Sequence, residues 1–314
     1  MAVALPYRMQ RLLHLAEAKR HAFLVRSIYK TPPLVMADGP VCFVSQLCHR
    51  DVAAYLVALK SVYPSLSVGR VCIVDDGSLT GTDKQHLKAH VPLLEIIPVN
   101  HARLSGVPVG GAWERFATLI SVVEGGEYAV QLDADLLALS HTADVARAVA
   151  SAQPFILTGL AGGEDAPPTE RRSFHATPAF AATHHSNSQH IQSVSERSLN
   201  SLEGAGSRHY IRGTAAFVGI PPYRLHHADM RRISQEMEDT LGTLWHAWGS
   251  EQVANNMLLA ELDDTLILNP PSYFNYKPGA PTDEAKLVHF YGTHRYAGGT
   301  YTALSRRFIA SLLA

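Results

Sequence analysis

The chain has 314 residues, 46% of them hydrophobic and 18% charged, an ordinary globular balance that fits one large domain or two smaller ones. Its formal net charge of -1 supplies no basic field of the kind that nucleic acid requires, so no nucleic-acid partner is expected. No run of about 18 apolar residues is present to span a bilayer, and the N-terminus lacks a signal-peptide core, so a cytoplasmic protein is expected.

Residues 1–38 are read as a basic amphipathic helical segment. Arg8, Arg11, Lys19, Arg20, Arg26 and Lys30 stand against a single acid, Glu17, with Leu12, Leu15, Ala16 and Phe23 between them. Packing against its own domain is the preferred reading, and peripheral attachment to an anionic membrane surface the alternative. After Pro32-Pro33 the pattern changes to short apolar runs separated by helical stretches, read as one domain over 39–314. VCFVSQL (Val41 to Leu47) is a buried strand, followed by a helix through Val52, Leu56, Leu59 and Val62. RVCIVDDGS (Arg70 to Ser78) is a second strand ending in a turn, and LEIIPV (Leu94 to Val99) a third. Ala112 to Val123 reads as a helix with Trp113, Phe116, Ile120 and Val123 near one stripe, and YAVQLDADLLAL (Tyr128 to Leu139) supplies a fourth strand.

Periodicity fades from Gly162 to Ser207, where a long loop is expected. His175, His184, His185 and His190 in it are read as a solvated loop rather than a metal cluster. HYIRGTAAFVGI (His209 to Ile220) reads as one strand, followed by a helix near Met230 to Leu244 and a second beginning at Ser250, with Ser250 as its N-cap. DTLILNP and KLVHFYG are late strands. Strands alternating with helices predict an α/β fold, a mostly parallel sheet flanked by helices, with ligands at the carboxyl ends of the strands. Cys42, Cys48 and Cys72 lack metal-ligand spacing and read as buried free thiols of a reducing compartment, with a catalytic cysteine as the alternative.

Both acidic motifs fall at strand ends. Asp133-Ala134-Asp135 can turn two carboxylates toward one divalent cation, and ionised Asp in an apolar run needs such compensation. Asp75-Asp76-Gly77-Ser78 can place a carboxylate against a base or ribose, with Gly77 allowing a tight turn. Late in the chain, His289-Phe290-Tyr291-Gly292-Thr293-His294-Arg295 offers an imidazole, a flexible backbone and a phosphate-pairing guanidinium. Glu251 and Gln252 sit at the start of a helix, with Gln252 and Asn256 four residues apart on one face.

Together these four segments resemble nucleotide-sugar-dependent glycosyltransferases of the GT-A (Rossmann-like) fold, over roughly Val41 to Tyr296. Val74 to Ser78 resembles the donor-base motif and Asp133-Ala134-Asp135 the metal motif. His289-x-x-Gly292-x-x-Arg295 is similar to the HxxGxxK signature of the retaining glycogenin and lipopolysaccharide galactosyltransferase group, and Glu251-Gln252-x-x-x-Asn256 to its DQxxxN stretch. Arg295 stands where that group has lysine and Glu251 where it has aspartate, while VDDGS is more typical of inverting relatives.

The resemblance implies a hexosyltransferase that moves a sugar from a UDP- or GDP-sugar to a hydroxyl acceptor. It implies Mn²⁺, or else Mg²⁺, on Asp133, Asp135 and His289, and donor contacts from Asp75, Asp76, Arg115, Asp133, Asn256, Gly292 and Arg295. Glu251 and Gln252 take the catalytic roles, as a base in an inverting course or facing the sugar in a retaining one, with the HxxGxxR pattern favouring retention. It also divides the domain into a donor-nucleotide half (39–160), a mobile loop region (161–208) and an acceptor half carrying the metal and phosphate motif (209–314). The alternatives are a non-catalytic sugar-nucleotide-binding or scaffold protein of the same fold and, further off, an Asp-x-Asp phosphatase.

Overall fold

A seven-stranded sheet forms the middle of the computed structural model, which describes residues 7–158, 170–179, 181 and 188–314. Helix α1 (Tyr7–Val25) precedes β1 (Val41–Leu47), α2 (Val52–Leu66), β2 (Arg70–Asp75), α3 (Gly81–His90), β3 (Leu94–Pro98), α4 (Trp113–Glu124) and β4 (Tyr128–Leu132). Next come β5 (Leu136–Ala138), α5 (Ala143–Ala150), β6 (Phe155–Thr158), β7 (Arg171–Ser173), α6 (Ile191–Ser198), β8 (His209–Ile211) and β9 (Gly213–Ile220). The chain ends with α7 (His227–Leu241), α8 (Ser250–Glu261), β10 (Leu266–Leu268), β11 (Tyr273–Asn275), β12 (Leu287–His289) and α9 (Thr300–Leu313).

The central sheet has the order β10-β6-β9-β4-β1-β2-β3, and only β9 runs against its neighbours β4 and β6. Val41, Phe43, Val71 and Val130 face one apolar cluster with α2, α5 and α9, whereas Cys42, Val44, Cys72 and Ala129 face a second with α4, α7 and α8. Burial on both faces is why these strands read as unbroken apolar runs. The expected α/β architecture is therefore present. Gly219 is required in β9, because a Cβ there would lie 2.1 Å from Phe155 Cε1.

Four expectations need revision. YAVQLDADLLAL is two strands: β4 belongs to the central sheet, while β5 pairs with β12 in a separate three-stranded sheet, β11-β12-β5. His209 to Ile220 likewise divides, β8 pairing with β7 and β9 entering the central sheet. The stretch expected as a long loop contains β7 and α6, whose buried face is polar (Gln192, Ser193, Ser195, Glu196) and so gives no apolar stripe. His184 and His185 lie outside the described residues. Finally, Gly249 (φ 97°) is the N-cap of α8, and Ser250 is its first helical residue, accepting a hydrogen bond from Trp113 Nε1 at 2.9 Å.

Helix α1 packs on its own domain, though not through the predicted face. His21 and Val25 are buried, His21 stacking on Tyr301 at 4.2 Å and bonding Thr302 Oγ1 at 3.0 Å, whereas Leu15 and Phe23 are exposed. The side chains of Arg8, Arg11 and Leu12 lie outside the described part. The link that follows is held by Lys60 of α2, whose buried ammonium donates to Thr31 Oγ1 at 2.8 Å and to Pro32 O. No described helix is long and apolar enough to cross a membrane.

Candidate functional site

A cleft of about 1760 Å³ opens along the carboxyl ends of β1 and β4. That exceeds the roughly 300–1,000 Å³ usual for one small ligand. Asp133-Ala134-Asp135 crosses the floor as the step from the central sheet to the small one. Asp133 N donates to Ala216 O at 2.9 Å, Ala134 O accepts from Tyr301 Oη at 3.3 Å, and Asp135 O accepts from Phe290 N at 2.9 Å. The tripeptide backbone is thus fixed from three distant segments, and both carboxylates line the cleft.

His289 joins them through strand register. In the small sheet it lies opposite Leu136, beside Asp135, and its Nε2 stands 3.2 Å from Asp135 Oδ1. On its other side it pairs with Asn275 of the parallel β11, and Nδ1 donates to Asn275 Oδ1 at 2.7 Å. That bond anchors Nδ1 and turns Nε2 toward the carboxylates. The ligand atoms of Asp133, Asp135 and His289 all lie within 4.8 Å of one another, the one such group among the described residues.

Two arginines bracket this cluster. Arg295 donates from Nε to Asp135 Oδ2 at 3.0 Å, and Nη2 lies 2.5 Å from the same oxygen. It reaches back over Gly292, whose positive φ of 52° turns the chain, and its Nε also bonds Phe290 O at 3.2 Å. Arg115, near the start of α4, pairs with Asp133, and its other terminal nitrogen lies 3.9 Å from Glu251 Oε1. Burial pushes Asp135 up, yet the Arg295 charge and His289 hold it well below the ordinary carboxylate range. Asp133 goes the other way, raised by burial against the opposing pull of Arg115 and by the neighbouring Asp135.

Glu251 is 5% exposed, and its Oε2 has no hydrogen-bond partner. Burial pushes this carboxyl up to about 7 against the pull of Arg115 and the α8 N-terminal amides. Gln252 is committed: Oε1 accepts from Thr214 Oγ1 and Ala215 N, both at 3.2 Å, while Nε2 donates to Gln192 Oε1 at 2.9 Å.

Three expected donor residues are elsewhere. Asp75 is occupied by Gly77 N at 2.9 Å, Leu79 N at 3.3 Å and Lys84 Nζ at 2.7 Å, and Asp76 closes a turn onto Ser78. Neither is among the residues that line the cleft, though Thr80 and Asp83 just beyond them are. Asn256 is fully buried, donating to Tyr210 Oη at 3.0 Å and Gly213 O at 3.1 Å beneath the cleft wall. Sequence reasoning missed Asn275 and also Asp51, which lines the cleft 3.4 Å from Arg295 Nη1. Both follow short apolar runs without a motif around them. Cys42 and Cys72 are buried as expected, burial pushing the Cys72 thiol up to about 12, whereas Cys48 is half-buried and donates from Sγ to Asp51 Oδ2 at 3.1 Å.

No protein-family profile matches the chain, and no curated protein matches it. Among solved structures it is similar to the galactosyltransferase LgtC in complex with donor and acceptor sugar analogues, at 15% identity over 85% of this chain and 95% of that one, with a TM-score of 0.42. It is also similar to core-mannan synthase A from Aspergillus fumigatus in an Mn/GDP form, at 10% identity over 90% and 87% of the two chains, TM-score 0.44. Mouse xyloside xylosyltransferase 1 is a third, at 12% identity over 81% and 97%, TM-score 0.40.

Proposed function

We propose that the chain is a metal-dependent hexosyltransferase, moving a sugar from a uridine- or guanosine-diphosphate sugar to a hydroxyl acceptor. The observation that supports this best is the meeting of Asp133, Asp135 and His289 between Arg115 and Arg295, with a buried carboxyl, Glu251, beside Arg115.

The donor set fits a divalent cation. Two carboxylates and an imidazole whose Nδ1 is already bonded to Asn275 offer three ligand atoms within 4.8 Å of one another, and the nitrogen favours Mn²⁺ over Mg²⁺. A cation held there would neutralise the diphosphate and act as a Lewis acid on the departing phosphate oxygen. Arg295, its fork engaged by Asp135, brings a positive charge that would attract phosphate oxygens, and Arg115 is a second guanidinium within reach of both Asp133 and Glu251. Glu251, with its carboxyl near neutrality, can hold or release a proton beside the reacting sugar. The stereochemical course proposed is retention, on the likeness of His289-x-x-Gly292-x-x-Arg295 to the signature of a retaining group. Glu251, ionised, would then support the positive charge on the sugar as it parts from the diphosphate.

Calorimetric titration with uridine and guanosine diphosphates, with and without Mn²⁺, tests the site. Metal-dependent binding to the wild type and its loss in Asp135→Asn are expected, together with loss of donor hydrolysis. Binding that ignores Mn²⁺, or none to either nucleotide, sinks the proposal. Proton NMR of the first-formed product anomer checks retention.

A further inference from the structure

Of the three tryptophans, Trp113 and Trp245 are buried at 2% and 0% exposure, while Trp248 is 73% exposed. A scattered surface tryptophan needs no explanation, but this one lines the cleft three residues before Glu251. Its surroundings hold it in place. Gly111 lies against its backbone, a Cβ there meeting Trp248 Cα at 3.6 Å, and the His190 ring stands edge-on at 5.8 Å and 82°. Gly249 lets α6 approach: with φ 97° and a would-be Cβ only 3.0 Å from His190 Cε1, no other residue fits comfortably.

The same wall carries polar groups. His190, Gln192, Arg212 and Thr214 line the cleft with Trp248, and Gln192 is tied through Gln252 to the segment bearing Glu251. The metal-ligand cluster belongs instead to the wall built by β5, β12 and the chain after them. That wall carries the carboxylates and imidazole suited to a cation and diphosphate, and the Trp248 wall sets a flat apolar ring beside His190, with its Arg212 guanidinium spent on Glu196. A pyranose has matching chemistry, with an apolar face of C–H groups and a rim of hydroxyls.

The geometry points to Trp248 as the stacking platform for a pyranose ring of the acceptor, with His190 at its hydroxyl edge. The acceptor class is therefore a glycoside rather than a simple alcohol or a protein side chain. This rests on the transferase reading for the word acceptor, though not for the sugar site itself.

Iodide quenching of tryptophan fluorescence tests it, since Trp248 is the exposed emitter and Trp248→Phe removes that component. Lactose, cellobiose and mannobiose are the probes, and sorbitol is the open-chain control. At least one disaccharide is expected to reduce the quenchable fraction by about twofold, with sorbitol inert. In transfer to that disaccharide, Trp248→Ala is expected to raise KM on the order of fivefold to tenfold with kcat little changed, and Trp248→Phe to recover most of the loss. Protection by none of the three, or equal protection by sorbitol, overturns the platform. Nucleotide binding in the presence of Mn²⁺ separates the two ideas. If a disaccharide protects Trp248 while no nucleotide binds, the transferase reading fails and the sugar site stands; the reverse result removes the platform alone.

Discussion

Replacing Glu251 by glutamine keeps the shape of the side chain and removes its titration. The carboxyl is pushed by burial from its ordinary 4.5 up to about 7, while the unfolded chain titrates at the ordinary value. Below pH 4.5 both states hold the proton, and the group costs the fold nothing. As pH rises from 4.5 toward 7 the unfolded state ionises and the folded state resists, so the fold loses stability across that window and then levels off. At about 1.4 kcal/mol per pH unit of displacement, the loss totals about 3 kcal/mol. Arg115, 3.9 Å away, and Asp133 beyond it are the charges that set this balance. Urea denaturation of wild type and Glu251→Gln in metal-free buffer, from pH 4.5 to about 8.5, measures it. The stability of Glu251→Gln relative to wild type should rise by about 3 kcal/mol up to neutrality and stay flat above it. A difference that does not change with pH, or one that favours wild type at high pH, would mean that Arg115 holds Glu251 ionised, and the reasoning would fail.

Three further outcomes are expected. Asn275→Ala frees His289 Nδ1 and should weaken Mn²⁺ binding roughly 10–100-fold by calorimetry; unchanged affinity would remove Asn275 from the site. Arg295→Lys keeps the charge but loses the fork on Asp135 and the bond to Phe290 O, so affinity for a nucleoside diphosphate with Mn²⁺ should fall about tenfold. Equal affinity would show that a point charge suffices. Lys60→Met strands the acceptors on Thr31 and Pro32 and should cost about 1–3 kcal/mol in urea melts, with earlier protease cutting ahead of β1; a neutral result would mean that the link is held by other contacts.

The first strands and α4 were legible because their burial matches simple patterns. β1, β2 and β4 are apolar on both faces, and Trp113, Phe116, Ile120 and Val123 all turn inward as their spacing predicts. The division between β4 and β5 was hidden because Leu132 and Leu136 on either side of the aspartates are both fully buried, so the apolar run continues across the change of sheet. Three-residue strands such as β11 are too short to show a period, which concealed Asn275. At strand ends a sequence marks position but not direction. Asp75 and Asp133 both close strands of the central sheet, yet the first is spent on its own turn and on Lys84, and the second reaches the cleft. Gln252 and Asn256 do share a helix face, as four-residue spacing requires, but the lower member meets Tyr210 rather than the cleft.

The Asp133-Ala134-Asp135 step has a consequence for how the molecule assembles. Its three backbone anchors come from β9, from the turn after β12 and from the last helix, Tyr301 being 167 residues from Ala134. Contacts of such high sequence separation are non-local ones, of the kind that slows folding. The cluster is complete only with the C-terminal segment docked, since His289, Phe290 and Tyr301 all belong to that segment. A nascent chain that has completed β1 to β4 has the sheet edge but neither His289 nor the anchors that hold the carboxylates still.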